Sequence, residues 1–310
     1  MSLLQVRDLT KVYGRNHPAV DHISFDVRKG ETVGMLGANG AGKTTTISML
    51  LGLLTPSCGA ISYFGKNFFT HSSEIMQFVG SGTAYAQLPS SFSIAENLDI
   101  FGRLYGLSKQ ERQVQIQSLL ERLSMWHMRD ARTGDLSSGE MTRIILAKAF
   151  LHKPKLVLLD EPTASLDVDV AKTVREFIKE QRKADVSFII TSHNMAEMTD
   201  LCNRILVMAQ GKIITTSTPA QLARSFHKTR VLLTVREQDV HACVTFAQEK
   251  RLQYVVDRTT LAIEVEEQDI ADLLSRLAQR NVVYTQIAIQ NPTLEDYFIK
   301  LQAERRKQWR

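Results

Sequence analysis

The chain has 310 residues, 44% of them apolar and 23% charged, with a formal net charge of +5. That length suits one large domain or a large one with a small companion, and the composition excludes a disordered or fibrous chain. Three cysteines without metal spacing, charge within the first seven residues and no long apolar run speak for reduced thiols in the cytosol, and against a signal peptide or a membrane helix.

Up to about residue 220, short apolar runs alternate with amphipathic stretches. Strands are expected at 3–6, 23–27, 32–36, 61–64, 156–159, 188–191 and 205–208. Several are unbroken apolar runs, as parallel strands buried on both faces require. Ser93 with Glu96, and Ser108 with Glu111, match capping boxes and open helical patterns. A helical block is therefore expected from about 90 to 150, inserted within an α/β core. From about 227 the texture changes to strands at 231–235, 253–256, 261–265 and 282–289, with helices at 238–251, 267–280 and 292–304. The reading is a domain at 1–226 followed by a small α+β domain at 227–310 docked on it. Arg305, Arg306, Lys307 and Arg310 make the tail basic. Such an end suits anionic lipid, nucleic acid or plain solvent.

Gly37, Ala38, Asn39, Gly40, Ala41, Gly42, Lys43 and Thr44 match G-x-x-x-x-G-K-[ST] at every fixed position. The glycines let the backbone curl so that successive N–H groups point inward at a phosphate. Lys43 then reaches the β and γ oxygens, and the Thr44 hydroxyl ligates Mg²⁺. Thr45 continues into a helix whose N-terminal dipole favours an anion. Nucleotide binding follows, but a P-loop alone leaves a kinase, a GTPase and a motor open.

Residues 156–159 are four apolar positions ending in Asp160 and Glu161. A buried parallel strand delivers both carboxylates to the C-terminal edge of the sheet, where ligands bind in open α/β folds. Asp160 is placed to hold Mg²⁺ through its water shell, and Glu161 to orient and deprotonate an attacking water.

Leu136, Ser137, Ser138, Gly139 and Glu140 precede an apolar-periodic helix, with the acidic pair about 20 positions later. Here the chain resembles the nucleotide-binding domains of ABC transporters, over residues 3 to about 225. The family signature is Leu-Ser-Gly-Gly-Gln, and this copy differs at the third and fifth positions. The resemblance implies a P-loop NTPase core with an antiparallel β subdomain and an inserted helical subdomain. It implies that ATP and Mg²⁺ are bound between two copies, Ser137 and Gly139 of one touching the γ-phosphate held by the other.

Three further motifs follow in family order. Asp167, in Ser165-Leu166-Asp167, matches the loop that in the family lines the seam between copies. By the same resemblance His193, in Thr191-Ser192-His193, would reach the γ-phosphate and hold the attacking water. Tyr13, before the first β-hairpin, stacks on adenine or is a buried structural tyrosine. One departure is visible. The glutamine of the loop that senses Mg²⁺ and meets the membrane subunit is replaced at its expected place by Ala84, with Gln87 three residues late. Either the loop is reshaped or coupling uses another group.

The closing segment at 291–301 resembles that of ABC-2-type ATPases, which pair with separate six-helix permeases and are mostly bacterial. Thr293 and Asp296 in it also suit a helix cap. The resemblance implies an ATPase working as a homodimer or paired subunit, on the inner face of a plasma membrane through its permease, in the direction of export. A soluble ABC ATPase acting on ribosomes or nucleic acid fits less well, because the chain has one P-loop, no heptad run and no CxxC. No nucleic-acid partner is expected. A GTPase lacks its Asn-Lys-x-Asp base reader here.

Overall fold

Uninterrupted apolar runs have nowhere to lie except between two layers, and here they form the centre of a six-stranded sheet. The computed structural model describes residues 2–14, 18–83, 88–164, 166–224 and 228–290. The chain divides into two units, residues 1–218 and 219–310. The composition shift at 227 thus lies just past a short helix, Pro219–Arg224, that belongs to the second unit.

In chain order the first unit runs β1 (Ser2–Lys11), β2 (Val20–Arg28), β3 (Thr32–Leu36), α1 (Lys43–Leu50), β4 (Cys58–Tyr63), β5 (Lys66–Asn67), α2 (Phe68–Met76) and β6 (Val79–Gly82). Three helices follow, α3 (Ile94–Leu104), α4 (Lys109–Arg122) and α5 (Ser138–Phe150). The unit ends with β7 (Leu156–Asp160), α6 (Val168–Lys183), β8 (Ser187–Ser192), α7 (Met195–Leu201), β9 (Arg204–Ala209) and β10 (Lys212–Ser217). The core sheet has the order β10-β9-β3-β8-β7-β6 and is parallel except for edge strand β10. Every residue of β3 and β8 is buried, which explains their lack of alternation. A second sheet, β2-β1-β4-β5, is antiparallel. Leu4, Leu9, Ile23 and Ile61 from this sheet share one core with Met35 and Leu158 of the other.

Helices α3, α4 and α5 follow one another between β6 and β7. Ser93 and Ser108 each accept from the N–H three residues on, while Glu96 and Glu111 reach back to the cap N–H groups. Each such cap stabilises its helix by about 1 kcal/mol. β6 and β10 are not marked by the sequence reading. In β6, Gly80 and Gly82 interrupt the apolar run; β10 carries threonines and serine on an edge.

The second unit runs α8 (Pro219–Arg224), β11 (Lys228–Val235), α9 (Val240–Glu249), β12 (Gln253–Asp257), β13 (Thr260–Glu266), α10 (Ile270–Gln279) and β14 (Tyr284–Gln290). From β11 on, it is a β-α-β-β-α-β unit whose antiparallel sheet has the order β12-β13-β11-β14, the ferredoxin-like arrangement. Val231, Leu233, Leu261 and Ile263 on one sheet face pack with Phe246 of α9 and Leu273 and Leu277 of α10. The expected helix at 292–304, with Thr293 and Asp296, and the basic tail lie outside the described residues. Among the described residues no helix is long and apolar enough to cross a membrane.

Candidate active site

β3 ends at Leu36 and α1 starts at Lys43, so residues 37–42 must turn the chain through a tight loop at the C-terminal edge of the sheet. Gly37 is buried, whereas Ala38, Asn39 and Gly40 are exposed at the tip. Gly40 and Gly42 have φ of +79° and +102°, a region side chains rarely enter. A Cβ on Gly42 would also stand 2.5 Å from the Ala19 carbonyl oxygen. The Ala41 carbonyl accepts from the Gly211 N–H at 3.1 Å, and Ala41 N–H donates to Ala38 O at 3.1 Å. Gly42→Ala is therefore expected to cost roughly 1–3 kcal/mol in strain and to spread the loop. Denaturant unfolding and nucleotide-binding titrations read both effects.

Lys43 is only 6% exposed. Its Nζ donates to the Gly37 and Ala38 carbonyls at 2.7 and 3.3 Å and stands 3.8 Å from Glu161 Oε1. Burial pushes the ammonium pKa down, and the charges of Glu161 and Asp160 push it back up. Thr44 and Thr45 are half-buried on the first turn of α1.

β7 delivers Asp160 and Glu161 to the same edge. Parallel pairing sets Asp160 opposite Thr191 of β8. The Thr191 hydroxyl donates to Asp160 Oδ1 and accepts from the Glu161 N–H, the latter at 3.0 Å. That N–H is shared with the Thr191 carbonyl at 3.1 Å. Glu161 itself is held at φ +54°, a conformation costing a non-glycine residue roughly 1–3 kcal/mol and concentrated at functional sites. Its Oε2 lies 2.7 Å from Nδ1 of His193, just beyond β8. A carboxylate oxygen only accepts, so Nδ1 carries the proton and Nε2 is left for a ligand. His193 is 63% exposed and Glu161 25% exposed.

Ser137 caps α5, accepting from the Glu140 N–H at 3.3 Å. Its own hydroxyl and N–H both reach Glu140 Oε2 at 2.8 Å, and these bonds hold the Glu140 carboxyl below the usual range. The signature hydroxyl thus bonds a carboxylate where the family pattern has a neutral amide. A Cβ on Gly139 would meet Val170 and Leu166 at 3.4 and 3.8 Å, so the start of α5 lies beside the start of α6. Asp167 is exposed at the N-cap of α6 without making a side-chain cap bond.

Tyr13 stands within the β1–β2 hairpin connection rather than before it, because β1 continues to Lys11. It is 54% exposed, with Lys11 Nζ 5.4 Å from its ring centroid. It is not a buried core tyrosine. Ala84 and Gln87 lie outside the described residues, as does Ser165. The sequence reading missed Thr191, which joins Asp160 to Glu161, and Glu197, a buried acid behind His193. A threonine opposite an acid across parallel strands follows only from register, which the sequence does not print.

The fold and this edge define a P-loop nucleotide hydrolase of the cassette type. Residues 20–164 match the family model described as "ABC transporter", and residues 134–199 also match "AAA domain, putative AbiEii toxin, Type IV TA system". The chain is 37% identical over 224 residues to the Nod factor export ATP-binding protein I of Cupriavidus metallidurans, covering 72% of this chain and 74% of that one. It is 32% identical to the bacitracin transport ATP-binding protein BcrA of Bacillus licheniformis, covering 97% of each. Among solved structures, the ATP-binding subunit of an ABC transporter aligns with TM-score 0.67 at 27% identity, over 73% of this chain and 93% of that one. cbiO1 of Clostridium perfringens, part of the transporter complex cbiONQ, aligns with TM-score 0.64 at 26% identity, over 71% and 90%. The chain belongs to the ABC transporter ATP-binding proteins. It is the ATP-binding, ATP-hydrolysing subunit of such a transporter.

Proposed function

We propose that two copies, or one copy and a paired subunit, close around MgATP and drive a separate ABC-2-like permease in the direction of export. The observation that carries this reading is the meeting of three segments at one edge: Lys43 Nζ lies 3.8 Å from Glu161, which lies 2.7 Å from His193. A cation for the β and γ oxygens, a carboxylate for water and a ring to hold that water are adjacent.

Residues 37–45 cradle the phosphates, and the exposed Tyr13 stacks on adenine. The donors fit Mg²⁺: one hydroxyl, Thr44, and one carboxylate, Asp160, already oriented by Thr191. Thr44 and Asp160 would hold the ion, which would supply positive charge against the charge that builds on the transferred group. Glu161 takes the proton of the attacking water, and His193, whose Nε2 is the acceptor while Nδ1 donates to Glu161, holds that water beside the γ-phosphate. Ser137 and Gly139 present a helix N-terminus to the γ-phosphate of the opposed site, with Asp167 at the seam. To do so Ser137 turns its hydroxyl away from Glu140. Closure follows from higher affinity for ATP in the closed state.

The relatives named for export of Nod factor and for bacitracin transport support export across a bacterial membrane, with this subunit on the inner face. No nucleic-acid partner is required. Purification from gently solubilised membranes tests the reading: a stoichiometric polytopic protein that changes ATP turnover is expected. Recovery with ribosomes or nucleic acid alone would remove the transport assignment and leave the ATPase intact.

A further inference from the structure

A buried carboxyl sits behind the Glu161–His193 couple without belonging to it. Glu197, on the first turn of α7, is 3% exposed. Its Oε1 accepts from Thr163 Oγ1 at 2.7 Å, and its backbone N–H donates to Asn194 Oδ1 at 3.1 Å. Thr163 lies two residues past Glu161, and Asn194 is the neighbour of His193. The side chain of Glu197 therefore bonds the segment that carries Glu161 through Thr163 and, through Ser192, the segment that carries His193, which its backbone bonds as well.

The arrangement is costly, which makes filling space a poor account of it. Burial pushes the Glu197 carboxyl pKa up, and the Glu161 charge pushes it the same way. Hydrogen bonds from Ser192 and Thr163 and the charge of Arg175 on α6 oppose them; the charge of the same carboxyl acts on Cys202, just past the end of α7. A leucine or methionine would occupy the space without desolvating a charge. Meanwhile Glu161 is held at φ +54°, and the turn after it has Ala164 N–H donating back to Glu161 O at 3.1 Å. A strained residue persists when its surroundings over-determine it. The Thr163–Glu197 bond supplies such a restraint from outside the turn.

We infer that Glu197 is a positioning residue for ATP hydrolysis: through Thr163 it fixes the spacing between the Glu161 segment and the His193 segment. The inference rests on the reading of Glu161 and His193 as the hydrolytic couple. It assigns no role in ATP affinity, since Lys43 and the loop at 37–42 are bonded independently of Glu197.

Steady-state ATPase assays on the purified full chain test it. Thr163→Val and Glu197→Ala are each expected to lower kcat roughly 10- to 100-fold while KM for ATP stays within about twofold. The double variant is expected to be no slower than either single one. Glu197→Gln keeps a carbonyl oxygen for Thr163 and is expected to restore most of kcat. Wild-type kcat in Thr163→Val, or Glu197→Gln as slow as Glu197→Ala, overturns the proposal. If Glu197→Ala does not fold, Thr163→Val and Glu197→Gln decide it. His193→Ala, run in parallel, separates the two readings: unchanged turnover there refutes the couple itself, whatever the Glu197 variants do.

Discussion

Glu161→Gln is expected to yield a protein that stays dimeric in MgATP and hydrolyses it roughly 10²- to 10⁴-fold more slowly. The substitution keeps the length of the side chain, and the amide oxygen still accepts from His193 Nδ1. The contact now made at 2.7 Å therefore survives. On the proposed reading, what is lost is the ability to take a proton from water. The change also removes a negative charge 3.8 Å from Lys43, so the γ-phosphate meets less repulsion and the closed state is favoured. Closed dimers are expected to accumulate because the step proposed to separate them, cleavage followed by repulsion between ADP and phosphate, would hardly occur. Size-exclusion chromatography with and without MgATP, beside a phosphate-release assay, measures both halves. A variant that elutes as a monomer in saturating MgATP would sink the sandwich.

How legible this site is depends on what each residue needs from the rest of the fold. The P-loop is legible because its requirements are local: positive φ at Gly40 and Gly42, and a lysine placed to reach back to the carbonyls of residues 37 and 38. Asp160 and Glu161 are legible because the strand before them is apolar throughout. Ser93, Ser108 and Ser137 are legible as caps because each partner sits three residues away. Thr191 and Glu197 are not legible, since their roles come from pairing across β7 and β8 and from how α7 packs. β6 escaped for a related reason. Its Gly80 lets the strand approach α5, where a Cβ would stand 2.3 Å from the Ala149 carbonyl oxygen. Close packing there replaces the apolar signal with glycine. Tyr13 shows the reverse case: a family position names it, but only the length of β1 places it inside the hairpin connection.

Lys43→Ala should abolish hydrolysis by a different route, and the contrast with Glu161→Gln separates binding from chemistry. Lys43 Nζ holds the loop by bonds to two carbonyls and supplies the buried positive charge facing Glu161 and Asp160. Alanine removes the loop bonds and leaves Glu161 without the cation 3.8 Å away, at the place proposed for the phosphates. Affinity should fall along with turnover. A ligand that binds only the folded state stabilises it by about 2.7 kcal/mol at 100 times Kd. In a domain of this size that raises Tm by roughly 5 to 10 °C. MgATP is expected to produce such a shift in the unsubstituted chain and in Glu161→Gln, and most of it should vanish in Lys43→Ala. Turnover near the unsubstituted level in Lys43→Ala would take Lys43 out of the site. A full thermal shift without turnover would instead move its contribution from holding the phosphates to stabilising the charge that develops as the γ-phosphate departs.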